Sequence, residues 1–85
     1  MVDTNGFRNW LECNTNYSKE VVGDTVSRIK RADKILEWYD DEVYLFKIEK
    51  EEDFKNLSTS VKSQIRKAIR YYIQFRDGSD CYEKE

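Results

Sequence analysis

The most regular pattern of apolar and polar residues lies in the last third of the chain, between Leu57 and Phe75. Apolar residues recur there at steps of three and four, which places them on one side of a helix of about 3.6 residues per turn. The members of this stripe are Val61, Ile65, Ala68, Ile69, Tyr72 and Ile73. A hydroxyl at Ser58, Thr59 or Ser60 can accept from a backbone donor of the first turn. We therefore predict a capped amphipathic helix whose stripe faces a core.

The beginning of the chain predicts a short first helix. Phe7, Trp10 and Leu11 lie at positions i, i+3 and i+4, so their large apolar side chains share one face. We expect this helix to begin after Thr4 or Asn5. The Asn-Thr-Asn sequence that follows favours turns and should end it.

A long second helix is predicted from about Lys19 to Tyr39, with Ser18 as its cap. Its expected buried positions are Val22, Val26, Ile29, Ala32, Leu36 and either Trp38 or Tyr39. Its outer face carries a cluster of cations at mid-helix, formed by Arg28, Lys30, Arg31 and Lys34.

The segment between the second and the last helix has no clear period and is acidic. Residues 40–42 predict a turn, and residues 49–55 predict a brief helix with Phe54 facing inward. A lone strand at residues 43–48 would expose its edge, so we favour a helical or irregular conformation there. The chain then divides into a helical domain, residues 1–76, and an acidic tail or start of a linker, residues 77–85.

Composition narrows the classes of protein that the chain can belong to. Its 85 residues, 39% hydrophobic and 38% charged, suit one small soluble domain. No apolar run approaches the roughly 18 residues that cross a bilayer, and the first residues do not resemble a secretory signal. We therefore expect a cytoplasmic protein without a membrane partner, in which Cys13 and Cys81 remain thiols.

Candidate catalytic chemistry is sparse. The chain has no histidine, which removes the usual general base and the commonest metal ligand. Its three glycines are isolated, so it has no glycine-rich phosphate loop. We predict no enzymatic activity, no metal site and no cofactor.

Charge gives the last helix a more specific interpretation. The net charge is -2, yet residues 58–76 contain five cations and no acid. Lys62, Arg66 and Arg70 follow at four-residue steps, and we call these three residues the basic ridge. Solvated helix faces usually mix signs and gain from Glu–Lys pairs one turn apart, and such pairs are absent here. This pattern favours a face that binds a polyanion, and Arg31 and Lys34 would join the ridge if the two long helices packed side by side.

Three stretches of the chain within residues 7–76 carry a further pattern: FRNWL, YSKEVVGDTVSRIKRADKILEWY and NLSTSVKSQIRKAIRYYIQF. Together they resemble the N-terminal core-binding (SAM-like) domain of tyrosine recombinases and phage integrases. The residues that match its motifs are Ser18, Thr25, Ser27, Arg28, Ile29, Arg31, Leu36, Leu57, Ser58, Ser60, Ile65, Arg66, Ala68, Ile69, Arg70 and Tyr72. The resemblance implies an all-α fold, a small orthogonal bundle of four to five helices that lies across duplex DNA. Strand exchange needs a histidine that this sequence lacks, so the resemblance implies either a DNA-binding piece of a larger enzyme with a separate catalytic domain or a free-standing relative of such modules.

These observations lead to a DNA-binding hypothesis and an alternative. In the first, a monomer contacts the duplex backbone without strong sequence preference, and the log-log slope of affinity against salt is about -3 to -4. The predicted contact residues are Lys62, Arg66, Lys67 and Arg70, with Ser60 and Ser63 donating to phosphates and Arg28, Arg31 and Lys34 in support. In the alternative, the chain is a helical protein-interaction module with a basic face. The chain has more aromatic residues than one small core can readily bury, and the excess would make the contacts. These residues are Trp38, Tyr39, Tyr44, Phe46, Tyr71 and Tyr82.

Overall fold

The computed structural model describes residues 2–40 and 43–77. Within these ranges the chain forms five α-helices and no strand. The helices are α1 (Thr4–Asn14), α2 (Lys19–Ile35), α3 (Tyr44–Ile48), α4 (Glu52–Lys55) and α5 (Thr59–Arg76). The all-α prediction and the small helical bundle are therefore confirmed. In the described part of the chain, no helix is both long enough and apolar enough to cross a membrane.

Side-chain caps fix the beginnings of the three longer helices. The Ser18 hydroxyl accepts from a backbone N–H of the first turn of α2, as predicted. Ser58 does the same for α5, which decides between the three candidates in that run. At α1 the cap is the carboxylate of Asp3, which accepts from the Gly6 N–H at 3.0 Å. The helix therefore begins at Thr4, slightly earlier than the apolar spacing indicated.

The end of α2 differs from the prediction, because the helix stops at Ile35 rather than near Tyr39. Three hydrogen bonds explain the early end. The Tyr44 hydroxyl bonds to the carbonyl oxygens of Ala32, at 3.2 Å, and Leu36. The Asp33 carboxylate accepts from the Trp38 backbone N–H at 2.8 Å. These contacts replace the next turn of helix and leave Leu36 in an extended conformation.

The core is a single cluster to which every helix contributes. Its largest members are aromatic, and Tyr72 of α5 lies at their centre. The Tyr72 ring is 5.0 Å from the Phe7 ring and 4.6 Å from the Trp38 ring, in both cases edge to face. Its hydroxyl accepts from the Asp3 backbone N–H at 2.8 Å, which ties the two ends of the bundle together. The other buried apolar residues are Trp10, Leu11, Val22, Val26, Ile29, Ala32, Tyr44, Ile48, Phe54, Ile65, Ala68 and Ile69.

The connection between α2 and α5 folds back onto this core through short helices, as expected for residues 43–48 and 49–55. Tyr44 and Phe54 are buried, and the latter confirms the inward position predicted for it. Phe46 remains 61% exposed. The predicted turn at 40–42, apart from Asp40, and the predicted tail, apart from Asp77, lie outside the described residues, and so do Cys81 and Tyr82.

Candidate nucleic-acid interface

The outer face of α5 presents several of the predicted contact residues to solvent. Lys67, Arg70, Ser60 and Ser63 are exposed, whereas Lys62 and Arg66 are half-buried. The opposite side of the helix buries Ile65, Ala68, Ile69 and Tyr72, as the stripe predicted. The helix therefore separates an apolar side from a cationic one within a single element.

Arg66, the middle residue of the basic ridge, is engaged by the acidic connection. Its Nε donates to Glu49 Oε2 at 2.7 Å, and its guanidinium lies 5.6 Å from the centre of the Phe54 ring. Arg66 follows the buried Ile65 by one residue, about 100° around the helix, which turns it toward α3 and α4. The middle residue of the basic ridge therefore has an acidic neighbour from another segment of the chain.

The last cation of α5 is also paired. Arg76 donates to both carboxylate oxygens of Asp40, from Nε at 3.0 Å and from Nη2 at 2.9 Å. The Trp38 indole N–H donates to the same carboxylate at 2.8 Å. The bonds from Arg76 and then from Trp38 lower the pKa of Asp40 to about 2. Among the described residues, the α5 cations that make no ion pair are Lys62, Lys67 and Arg70.

The two long helices pack side by side and bring together two of the predicted contact residues. A groove of about 220 Å³ runs between them, lined by Tyr17, Val21, Thr25, Arg28, Gln64, Lys67 and Ala68. Arg28 thus shares one groove with Lys67. Arg31 and Lys34 are exposed but do not line the groove. They lie about 60° and about 120° around α2 from Arg28. That Arg31 and Lys34 join the basic ridge stays a prediction.

Tyr17, which the sequence patterns did not single out, forms one edge of this groove. Its hydroxyl lies 3.0 Å from the Tyr71 hydroxyl, and the two rings meet edge to face at 5.9 Å. The bond to Tyr71, and then the neighbouring Lys67 ammonium, lower the pKa of Tyr17, while the same bond raises the pKa of Tyr71. Tyr17 precedes the helix cap Ser18. An apolar residue before a cap often packs against the following helix, a signal that would have identified it.

The aromatic residues considered for protein contacts divide into two groups. Trp38 and Tyr44 are buried in the core, so the expectation that the core is too small to bury them is wrong. Tyr71 is half-buried between the Trp10 and Tyr17 rings, at the edge of the core. Tyr39 and Phe46 are exposed.

Comparison of the chain with protein-family models, with curated proteins and with solved structures found no match. The likeness to the core-binding domain of tyrosine recombinases thus rests on sequence motifs alone. In the described ranges, no group of three or more acidic or cysteine side chains lies close enough together to hold a metal ion.

Proposed function

We propose that this chain is a non-catalytic binding module for duplex DNA, which contacts the phosphate backbone with the outer face of α5. The observation that carries the proposal is the charge of this helix: it contains no carboxylate, and Lys67 and Arg70 are exposed on it. Ser60 and Ser63 lie beside them and can donate to phosphate oxygens. Proteins that hold the DNA backbone use this combination of cations and hydroxyl donors.

The dimensions of α5 suit this role. From Ser60 to Arg70 the helix rises by about 15 Å, a length over which one strand of a duplex presents about four phosphates. Lys62, Lys67 and Arg70, with Arg28 across the groove, supply a matching number of cations. Because backbone contacts carry little sequence information, the module is expected to position a larger assembly on DNA rather than to select a site. A catalytic domain in a longer chain would be such a partner.

The overall acidity of the chain is compatible with this proposal. The pI is about 5.2, but two of the acids beside α5, Glu49 and Asp40, are each engaged by an arginine. The charge is unevenly distributed, because α5 carries five cations and no acid. Such a dipolar molecule can turn its basic side toward a polyanion during diffusion.

The test is a fluorescence-anisotropy titration of a labelled duplex at low salt, with Lys67→Gln/Arg70→Gln beside the wild type. The matched control is Lys30→Gln/Lys55→Gln, which removes the same charge from exposed positions outside α5. We expect the α5 variant to lose about tenfold or more in affinity, since hydrogen bonds to charged groups are worth about 1.5–3 kcal/mol each. Equal losses in the two variants would show that net charge, not this face, governs binding.

A second candidate function, a protein-interaction module, has one observation in its favour. Phe46 is 61% exposed beside a shallow pocket of about 350 Å³ formed with Leu36, Lys47, Lys50 and Glu51. Exposed apolar patches mark interaction sites on many proteins. Sedimentation over a range of concentrations separates the candidates: self-association abolished by Phe46→Ser favours the second, and a monomer that binds duplex favours the first.

A further inference from the structure

The groove between α2 and α5 combines cations on both walls with a lining that contains no carboxylate. Arg28 comes from α2, and Lys67 and Gln64 come from α5. Its base includes Thr25 and Ala68, which are both buried. The groove therefore presents positive charge and hydrogen-bond donors above a floor of small side chains.

Lys67 contacts the Tyr17 ring beside this groove, and Tyr17 is connected to the core through Tyr71. Its ammonium lies 5.6 Å from the centre of the Tyr17 ring. The Tyr17 hydroxyl is bonded to Tyr71, whose ring lies 6.2 Å from the buried Trp10 ring. The neighbouring Tyr17 hydroxyl raises the pKa of Lys67. Such a fixed cation spends less conformational entropy on binding than a freely moving lysine does.

The size and charge of the groove select the kind of anion that fits. Its volume of about 220 Å³ lies below the range of about 300–1,000 Å³ typical of sites for drug-sized ligands. One small group is therefore the expected occupant, rather than a whole nucleotide. Arg28 and Lys67 together carry a charge that balances a phosphomonoester, which bears about -1.5 to -2 at neutral pH, better than a phosphodiester.

We propose that this groove binds the terminal phosphate of a DNA strand, between Arg28 and Lys67. A terminal phosphate has one covalent connection and three available oxygens, so it can enter a groove end-on. A backbone phosphodiester is flanked by sugars on both sides, so Arg28 and Lys67 can contact it only at the rim of the groove. The inference rests on the proposed function, because duplex DNA is what brings the phosphate group to this surface.

The test uses one duplex sequence in three forms: with 5′-phosphate ends, with 5′-hydroxyl ends, and closed at both ends as a dumbbell. We expect the wild type to bind the phosphorylated form about tenfold more tightly than the hydroxyl form. Arg28→Gln/Lys67→Gln should bind these two forms equally. Arg31→Gln, an exposed neighbour outside the groove, should keep the preference.

Each outcome separates the inference from the proposed function. Equal affinity of the wild type for all three forms overturns the terminal-phosphate site and leaves backbone binding in place. Absence of binding to every form overturns the proposed function. A 5′-phosphorylated dinucleotide, added to isotope-labelled protein, then tests the groove alone. Resonance shifts at Arg28, Gln64 and Lys67 support the site, and unchanged resonances there refute it.

Discussion

Glu49→Gln should strengthen DNA binding while slightly weakening the fold. Glu49 accepts from Arg66 at 2.7 Å, and the two side chains are 34% and 37% exposed. Ion pairs as exposed as this one contribute about 0.2–1 kcal/mol to stability, so the variant should lose no more than that. It also releases Arg66 on the helix that we propose contacts DNA. One added phosphate contact makes the salt slope steeper by about 0.9, equivalent to about eightfold in affinity near 0.1 M salt.

The assay is a duplex titration at several salt concentrations, with urea unfolding as the measure of stability. Asp53→Asn is the control, because it removes one exposed negative charge from the same acidic connection without an arginine partner among the described residues. It should change affinity by much less, because it releases no arginine of α5. If Glu49→Gln leaves both affinity and slope unchanged, Arg66 does not reach the backbone and the role given to this pair is wrong.

Further predictions concern the fold. Gly23→Ala should stabilise the protein by about 0.5–1 kcal/mol, because a Cβ there meets open space. Gly6→Ala should destabilise it, since its Cβ would collide with the capping carboxylate of Asp3; urea unfolding measures both variants. Tyr44→Phe should cost about 0.5–1.5 kcal/mol in the same assay, because it removes the hydroxyl that donates to the carbonyl oxygens of Ala32 and Leu36. Arg76 lowers the pKa of Asp40 to about 2, so the stability this pair adds should persist above about pH 4 and disappear as pH falls through 2. Asp40→Asn should remove that part of the acid dependence.

Local sequence patterns were sufficient to predict the long helices, because each helix is amphipathic and carries a recognisable cap. Ser18 and Ser58 precede apolar stripes whose spacing leaves little choice of face. The end of α2 could not be found in the same way. The helical spacing continues through Leu36 to Tyr39, and only the packing of Tyr44 and Asp33 against this segment turns the chain out of the helix.

For the candidate site, too, the sequence predicts features within one helix but not the contacts between segments that are distant in the chain. The uniform charge of α5 is visible in the sequence, and the exposed positions of Lys67 and Arg70 agree with it. The pairing of Arg66 with Glu49 joins residues 17 positions apart and depends on how the connection folds back. The meeting of Arg28 with Lys67 depends on the rotation of α2 about its own axis. Helix packing, rather than residue spacing, decides which cations act together.

The salt dependence of duplex binding tests the central claim most directly, because it counts the phosphate contacts. For the wild type, contacts from Lys62, Lys67, Arg70 and Arg28 predict a log-log slope of about -3 to -4. In Lys67→Gln/Arg70→Gln the slope should become less steep by about 2, and in Lys30→Gln/Lys55→Gln it should stay unchanged. A wild-type slope near zero, or the same slope in all three proteins, would contradict the assignment of α5 as the DNA-binding face.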